Sequence, residues 1–488
     1  MIFQQIEYVM GLNCLKSLWF RLHPSEEISS YVDCDPENLE MRYRVQDLAF
    51  KYYAGGTSVD GSKYYAAEHA AKTKELAQTY DIIYWASAYI DNGCSGIADV
   101  MIKNGEAWDL IAVKTAVEIK DSYIDDMAYL KYVFEKSGYS IKNCKIIHPN
   151  NQYIRQGDID VRQYLKEEDI SELVNAKKDS VEQQLQNMLN IGQKQEEPNV
   201  PIHAGCKDCP YYAYCGKNVP EYSVFDLLSA KKADEFYQET GSLNVEDVSE
   251  DWCTTDKQLI DLKAFKNKET HIEPEHIQEW LDTLEYPLYY LDYETFQWAV
   301  PLFDGVKTYS QIPFQFSLHI QDSPDAEPRH IEFLHQGRSD PRRALAEALI
   351  KNCGKHGSVV VYNQSFEMTR NKELAELFPD LADDLLAINE RIVDQFIPFR
   401  NRALYNYKQK SSASIKYVLP AFSDLTYEGM DIANGSEAMF CYLEFMLGMQ
   451  TEEKSKQMFA DLLKYCGQDT YAMVVLMKVL YKYAKGEE

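Results

Sequence analysis

Short runs of apolar and aromatic residues alternate with charged segments along the whole chain, a pattern typical of a globular α/β protein. An aromatic-rich run over 286–295 predicts a buried strand, and alternating positions over 314–320 and 331–335 predict two more. Residues 358–362 predict a strand that leads into a helix, and an apolar-periodic helix is expected to open near residue 462. This order predicts a mixed-sheet domain that begins near residue 274.

The N-terminal half combines predicted strands with charged helical segments. Two strands over 96–101 and 108–114 are joined by an Asn-Gly turn, and residues 156–197 have a charged helical pattern. Residues 219–273 alternate short helical pieces with turns, which predicts a helical connector. The predicted segments are therefore an N-terminal domain, the connector and a C-terminal domain, over 1–218, 219–273 and 274–488.

Composition narrows the class of protein. The chain has 488 residues, of which 45% are hydrophobic, so it can bury a large core. A net charge of −27 argues against a protein that coats nucleic acid in general, because such proteins bind chiefly by neutralising phosphates. We find neither an apolar run long enough to cross a membrane nor a clean signal peptide, and the eleven cysteines are mostly scattered. The expected setting is the reduced cytoplasm, without membrane association.

Acidic side chains lie at the ends of predicted strands and on one helix. Asp292 and Glu294 end the buried strand at i and i+2, so both side chains point to the same face. Two oxygen ligands on a rigid strand end suit Mg²⁺ or Mn²⁺, and a solvated sheet edge is the alternative. Glu367 lies near a strand–helix junction, and Tyr465 and Asp469, at i and i+4, share one helical face.

These motifs, in this order and spacing, resemble those of the DEDD 3′–5′ exonucleases of the DnaQ-like, RNase H-like superfamily. In that family the motifs are Asp-x-Glu, Asn-x-x-Phe/Tyr-Asp and Tyr-x-x-x-Asp, and the tyrosine marks the DEDDy branch. The chain departs from the family once, because it has Glu367 where an aspartate is usual; glutamate keeps the charge and can still ligate a metal. The three motifs stand in this sequence as Asp292-x-Glu294, Asn363-x-x-Phe366-Glu367 and Tyr465-x-x-x-Asp469.

The resemblance implies both a reaction and a substrate. The four acidic residues Asp292, Glu294, Glu367 and Asp469 would hold two Mg²⁺ or Mn²⁺ ions about 4 Å apart. One ion would activate a water, positioned by Tyr465, and the other would stabilise the leaving 3′ oxygen. The implied substrate is DNA or RNA with a free 3′ end.

One dense group of cysteines predicts a bound metal. Cys206, Cys209 and Cys215 lie within ten residues, and Cys14 is the natural fourth ligand. One distant N-terminal cysteine with a C-terminal CxxC-x5-C resembles the iron–sulfur RecB-like nucleases, including the CRISPR-associated exonucleases of that type. The resemblance implies a structural [4Fe–4S] cluster, and a Cys₄ zinc site is the alternative.

Between these cysteines the sequence resembles a PD-(D/E)XK nuclease core of the restriction-endonuclease-like fold. In active members an aspartate and a glutamate bind the metal and a lysine follows two residues later; here those positions hold Asp99, Ala112 and Lys114. Trp85 and Leu130 stand where relatives tend to carry a glutamate and a glutamine, so several departures together favour natural decay over an engineered change at Ala112. We expect this domain to keep its fold and to have lost cleavage.

Nearly the whole chain resembles a bacterial family of uncharacterised proteins that fuse an iron–sulfur RecB-like nuclease domain to a DnaQ-like domain. The likeness is carried by stretches such as 291–294, 312–319, 414–420 and 465–470. A local basic stretch with Tyr405 and Tyr407 interleaved would contact the nucleic acid, and a plain solvated loop is the alternative. Its cations are Arg400, Arg402, Lys408, Lys410 and Lys416.

Two functional classes are therefore expected from the sequence. The first is a metal-dependent 3′–5′ exonuclease, in repair or in defence against foreign nucleic acid, whose N-terminal domain binds or positions the substrate. The second is a non-catalytic nucleic-acid-binding protein or scaffold in which both nuclease sites are degenerate, with Glu367 as the second departure.

Overall fold

The chain divides into two units that interleave in sequence. The computed structural model describes residues 2–25, 28, 36–59 and 66–486. Both units are mixed α/β, as the hydrophobic pattern predicts. Unit 1 comprises the described residues of Met1–Ile202, Asp208–Lys217 and Trp298–Ser310, and unit 2 those of His203–Lys207, Asn218–Gln297 and Gln311–Glu488.

Unit 1 is built on a six-stranded sheet in which the strands lie side by side in chain order. The first two strands pair in parallel, the second to fourth are antiparallel, the fourth and fifth pair in parallel across a helical crossover, and the sixth is antiparallel. The Asn-Gly turn lies where the sequence predicts it, and Gly105 adopts a φ of +69° there. The strands are β1 Thr57–Ser58, β2 Ile82–Tyr89, β3 Ser95–Asn104, β4 Ala107–Val113, β5 Ile141–Pro149 and β6 Leu165–Asp169.

Helices cover this sheet and bury its apolar side chains. The crossover helix α5 places Tyr129 and Phe134 in a core that also contains Leu110 and Ile146 of the sheet. The helices of unit 1 are α1 Gln5–Asn13, α2 Leu15–Leu22, α3 Pro36–Tyr52, α4 Ala66–Leu76, α5 Asp121–Lys136, α6 Val161–Tyr164, α7 Ser171–Ala176, α8 Lys178–Gly192 and α9 Tyr212–Cys215. Within the predicted helical range 156–197 the structure has the edge strand β6 before α7 and α8, so the helical prediction is wrong at that point.

Unit 2 contains a five-stranded mixed sheet with the order β10-β9-β8-β11-β12, so β8 is the central strand. β9 and β10 are antiparallel additions on one side of β8, and β11 and β12 are parallel additions on the other. A separate two-stranded sheet pairs β13 with β7. The strands are β7 Thr270–Ile272, β8 Leu288–Phe296, β9 Ile312–Gln321, β10 Arg329–Leu334, β11 Val359–Val361, β12 Ile392–Asp394 and β13 Leu404–Asn406.

The two faces of β8 have different roles. Leu291 and Tyr293 point into a core with Phe316, Leu318 and Leu345, whereas the alternate positions face the other way. The long C-terminal helix α20 packs on β8 and β9. The helices of unit 2 are α10 Val224–Leu227, α11 Ala230–Thr240, α12 Asp256–Asn267, α13 Pro274–Leu281, α14 Arg342–Asn352, α15 Ser365–Leu377, α16 Ala382–Asn389, α17 Phe396–Arg400, α18 Ile415–Phe422, α19 Gly435–Leu447 and α20 Glu452–Ala484.

Two features of unit 2 differ from the sequence prediction or refine it. Helix α20 begins at Glu452, capped by Thr451, and therefore earlier than the predicted opening near residue 462. The range 219–273 contains the helices α10, α11 and α12, in line with the predicted helical pieces, but it ends in the strand β7. The range belongs to unit 2, where β7 pairs with β13. Of the helices in the described ranges, none combines the length and apolar character that crossing a bilayer requires.

Candidate active site

A cavity of about 530 Å³ opens beside the central strand of unit 2. Three of the predicted metal ligands, Asp292, Glu294 and Asp469, line it together with the predicted water-positioning residue Tyr465. β8 and α20 supply these four side chains, so residues far apart in sequence meet in one cavity. The other lining residues are Tyr293, Thr295, Gln297, Gln311, Tyr362, Phe366, Ile415, Lys416, Asn434, Gly435, Ser436, Met439 and Met473.

The strand geometry brings two carboxylates and a thiol together. Asp292 and Glu294 lie on one face of β8, and the Cys466 thiol of α20 lies 3.7 Å from Asp292 Oδ2. One oxygen of each carboxylate and the thiol sulfur all lie within 4.8 Å of one another. Within the described ranges, this is the one group of three or more potential metal ligands at such close distances. Cys466 carries no signal in the sequence beyond its place between Tyr465 and Asp469.

Two tyrosines hold the third carboxylate. Tyr427 donates a hydrogen bond of 2.6 Å from its hydroxyl to Asp469 Oδ1, and Tyr465 on α20 also hydrogen-bonds to Asp469. The rings of Tyr427 and Tyr465 are tilted against each other with centroids 6.2 Å apart. Tyr427 was not predicted, because it lies in a loop and belongs to none of the three motifs. Asp469 is therefore fixed both by its helix and by this loop.

Burial makes the charged forms of these carboxylates costly. The pKa of Asp292 is raised well above its usual value by burial and then by the charge of Asp469. The pKa of Glu294 is likewise raised, by burial first and then by Asp292 and Asp469. Burial raises the pKa of Asp469 to about 6, although the hydrogen bonds from Tyr427 and Tyr465 oppose that rise. Together these shifts mark a site whose negative charge exceeds the positive charge that the described residues supply.

Lys416 is the one Lys or Arg among the described residues that line the cavity. Its ammonium donates to the carbonyl oxygen of Ala433 and lies 5.3 Å from the centroid of the Tyr465 ring. Its charge lowers the pKa of Glu294 and of Asp469, but burial lowers the pKa of Lys416 itself. One partly desolvated cation therefore faces three carboxylates.

Glu367, the fourth predicted ligand, lies behind the cavity rather than in its wall. It belongs to the first turn of α15 and is only 2% exposed. Its Oε2 has no hydrogen-bond partner in the part of the chain that the structure describes. Burial raises the pKa of Glu367 well above its usual value, and the charge of Asp292 adds to that rise. The structure thus brings three of the four predicted carboxylates into the cavity and the fourth close enough to interact with Asp292.

In unit 1 the three residues of the predicted degenerate site lie on or just after β3 and β4. Asp99 is buried and accepts hydrogen bonds from Gln46 Nε2 at 2.6 Å and from the Val113 amide at 2.7 Å. Lys114 pairs with Asp126 of α5, and Ala112 is buried. The polar groups that remain from the predicted motif are therefore engaged by other protein groups.

The predicted cysteine ligands occupy short turns and helix ends. Cys14 lies between α1 and α2, where its amide caps the first helix. Cys209 lies 3.5 Å from the Ser17 hydroxyl of α2, and Cys209 and Cys215 pack against an apolar cluster that contains Phe20 and Tyr211. Cys206 lies in the 3₁₀ helix Ala204–Asp208.

Two residues of the predicted basic stretch cannot contact nucleic acid. Arg402 is 6% exposed, and its guanidinium forms two hydrogen bonds to Asp261 at 2.6 and 2.8 Å, so the prediction of a surface contact is wrong. Tyr405 is fully buried and cannot stack on a base.

The other cations of the stretch are more accessible. Arg400 and Lys408 are exposed, and Arg400 lies over the ring of Phe396. Lys410 pairs with Glu221, and Lys416 lines the cavity.

Comparison with known proteins gives a family model and two relatives. Residues 289–414, which include α15 and all of β8 except its first residue, match the model of a domain of unknown function, DUF2779. An uncharacterised protein of Mycoplasma pneumoniae is 27% identical over 206 residues, and one of Mycoplasma genitalium is 25% identical over 207 residues. Each match covers 38% of this chain and 31% of the relative, so it spans about a third of the relatives' own length. The part of unit 2 that carries Asp292, Glu294 and Glu367 is thus similar to DUF2779 domains.

Proposed function

We propose that unit 2 is a metal-dependent 3′–5′ exonuclease of the DEDDy type with an RNase H-like, DnaQ-type fold, acting on DNA or RNA with a free 3′ end. The observation that carries the proposal is the convergence of Asp292, Glu294 and Asp469 with Tyr465 in one cavity. The order of strands and helices in unit 2 and the central position of β8 agree with this fold.

The donor set fits hard divalent cations such as Mg²⁺ or Mn²⁺. Carboxylate oxygens are the ligands that these ions prefer. Three carboxylates, of which Glu294 and Asp469 are buried and Asp292 is partly buried, face a single lysine. A fourth, Glu367, has an oxygen without a hydrogen-bond partner among the described residues. Such a surplus of buried negative charge is costly unless cations neutralise it. Asp292, Glu294 and Asp469 would hold the ions directly, and Glu367 would complete the set.

Bound cations would supply the charge that activates a water and stabilises the leaving oxygen of a phosphodiester. The protein's own groups prepare the rest of the site. The Tyr465 hydroxyl, beside Asp469, would orient the attacking water towards phosphorus. The Lys416 ammonium would add positive charge near the phosphate oxygens, and Tyr427 holds Asp469 in place.

For unit 1 we propose a PD-(D/E)XK fold that no longer cleaves and that binds or positions the substrate. Ala112 supplies no ligand where active enzymes have a glutamate, while Asp99 is held by Gln46 and Lys114 by Asp126. These pairings support a structural role for the two surviving residues. Without the second carboxylate, the site lacks a negative charge that a divalent metal ion needs, and a neutral water ligand cannot supply it.

From the sequence we also propose a structural [4Fe–4S] cluster on the cysteine motif, with zinc as the alternative, because thiolates suit either metal; of the motif's members, Cys14, Cys209 and Cys215 belong to unit 1. The described surroundings of Cys209 and Cys215 are apolar and aromatic, which is compatible with a structural cluster. Iron and acid-labile sulfide analysis of the anaerobically purified protein distinguishes the two metals.

The exonuclease proposal is tested by cleavage of a 3′-labelled single strand in the presence of Mn²⁺, with matched DNA and RNA substrates. We expect the wild-type protein to release mononucleotides and Asp292→Asn to be inactive. The matched control is Asp322→Asn, which removes a carboxylate in unit 2 that is 69% exposed. No release of mononucleotides by the wild-type protein from either strand would contradict the proposal, and so would full activity of Asp292→Asn.

If Asp292→Asn retained a cleavage activity that disappeared with Asp99→Ala, unit 1 would be the nuclease instead. Binding of oligonucleotides without any cleavage would favour a non-catalytic nucleic-acid-binding protein.

A further inference from the structure

A second cavity in unit 2, of about 610 Å³, has one residue in common with the catalytic cavity. Lys416, in the first turn of α18, lines both. Its neighbour Ile415 lines only the catalytic cavity, and the next residue, Tyr417, lines only the second one. The first turn of α18 therefore contributes to the walls of both cavities.

The wall of the second cavity presents aromatic rings. Tyr417 is 46% exposed, and Tyr407 and Phe265 are half-buried. The buried Tyr222 packs edge-on against Phe265 with centroids 4.8 Å apart, which fixes that ring. The Lys268 ammonium lies 3.5 Å from the Phe265 centroid and 5.4 Å from the Tyr407 centroid. Accessible rings held by their neighbours are suitable platforms for stacking.

The charge around this cavity is positive on a strongly acidic protein. Among its lining residues, Lys408, Lys410 and Lys416 face two glutamates, Glu221 and Glu246. Lys410 pairs with Glu221, and Lys408 is exposed. The lining residues thus include three lysines and two glutamates, and the ammonium of Lys268, which is not a lining residue, lies against the Phe265 ring. On a chain with a net charge of −27, a local excess of lysine selects for an anionic ligand.

We propose that this second cavity binds the single-stranded nucleotides on the 5′ side of the phosphodiester that is cleaved. Bases stack on Tyr417 and Tyr407, and Lys408 pairs with the backbone. Stacked rings beside lysines are the means by which proteins hold single strands without reading their sequence, and paired bases inside a duplex cannot reach such rings. The proposal rests on the exonuclease function and adds to it a substrate class, a single strand several nucleotides long.

The test measures binding in EDTA, where no hydrolysis occurs, by the fluorescence anisotropy of 5′-labelled oligonucleotides on the full chain. An oligothymidylate of about eight nucleotides, its oligouridylate counterpart and a dinucleotide serve as probes. We expect the longer strands to bind at least about tenfold more tightly than the dinucleotide. Tyr417→Ala and Tyr407→Ala are each expected to weaken binding of the longer strands by about 5- to 100-fold, because one stacked base is lost.

Controls separate stacking from general effects. Tyr417→Phe keeps the ring and is expected to bind as the wild type does. Tyr471→Ala removes a tyrosine of unit 2 that is 40% exposed, similar to Tyr417, and that lines neither cavity, so it is expected to have no effect. Lys408→Gln is expected to reduce the slope of log K against log salt by about 0.7, as one phosphate contact with a single strand is lost.

Three results would overturn the proposal: equal affinity for the dinucleotide and the longer strands, unchanged binding in Tyr417→Ala and Tyr407→Ala, or an equal loss in Tyr471→Ala. A fourth result would also overturn it. If polyglutamate competed with the oligonucleotide and its affinity fell in Tyr417→Ala as much as that of the oligonucleotide, the tyrosine would not be stacking on bases, since polyglutamate has none. The outcome is independent of catalysis. Binding that follows the prediction without cleavage under Mn²⁺ refutes the exonuclease alone, whereas cleavage without any length or tyrosine dependence refutes the second cavity alone.

Discussion

Replacing Tyr427 by phenylalanine removes one hydrogen bond from the candidate metal site and leaves the ring in place. The lost bond is the 2.6 Å contact from the Tyr427 hydroxyl to Asp469 Oδ1, in a position where Tyr427 is 7% exposed. A buried hydrogen bond to a charged group contributes about 1.5–3 kcal/mol. Mutating the hydrogen-bond partner of a metal ligand typically lowers metal affinity or activity by about 10- to 100-fold. We therefore expect Tyr427→Phe to weaken Mn²⁺ binding by about 10- to 100-fold.

Isothermal titration with Mn²⁺ measures this change directly, and the Mn²⁺ concentration that gives half-maximal exonuclease activity provides a second readout. Tyr442→Phe is the matched control, because Tyr442 is fully buried in the same unit and donates its hydroxyl to the carbonyl oxygen of His335 at 2.9 Å. The control variant is expected to bind Mn²⁺ as the wild type does. Unchanged affinity in Tyr427→Phe, or an equal loss in both variants, would refute the idea that Tyr427 acts by holding Asp469.

Three further predictions concern stability, each measured by urea unfolding. Arg402→Met leaves Asp261 buried without its ion-pair partner and is expected to destabilise unit 2 by about 3–5 kcal/mol; a change below about 1 kcal/mol would mean that the pair is dispensable. Phe134→Ala empties a fully buried position of the unit 1 core and is expected to cost about 3–5 kcal/mol, whereas a value near zero would contradict the described packing. Burial, and then the neighbouring His330, lower the pKa of His319 to about 4, so protonation of His319 favours the unfolded chain. Its contribution to stability is expected to fall by at most about 3 kcal/mol as the pH drops from about 6.5 to 4, whereas carboxylates with a raised pKa, such as Asp469, act in the opposite direction. The difference in stability between wild type and His319→Asn should therefore change over this pH range, and a constant difference would exclude this role of His319.

The central strand and its two carboxylates were predictable because the signals are local. An apolar run marks β8, and strand alternation alone places Asp292 and Glu294 on one face. The i, i+4 spacing likewise places Tyr465 and Asp469 together on α20. The start of α20 was predicted too late because its first turns carry mostly charged residues, which weakens the apolar period there.

Other features depend on partners that the local sequence does not indicate. Arg402 lies in a basic stretch, but its partner Asp261 is 141 residues earlier in the chain, so its burial follows only from the folded structure. The strand β6 has one lysine and three acidic residues among its five, and within the described sheet it pairs with β5 at the edge, where charged residues protect against unwanted strand pairing. Charge on an exposed helix and charge on an edge strand look alike in sequence, and this ambiguity explains the wrong helical prediction.

The depth at which Glu367 is buried was also not predictable from the local sequence, and it affects how a metal ion could bind. Its place in the first turn of α15 was predictable from the strand that precedes it, but its depth was not, since depth depends on how α15 packs. A side chain that is 2% exposed, beside Asp292, cannot remain charged at low cost unless a cation comes within its reach. The extra methylene of glutamate, relative to the aspartate of the resembled family, gives its carboxylate a longer reach from the helix. The departure from that motif is therefore compatible with a working metal site. In a site that had lost its cations, neutral residues in place of these buried acids would lower the free-energy cost of burial, and this chain keeps the acids.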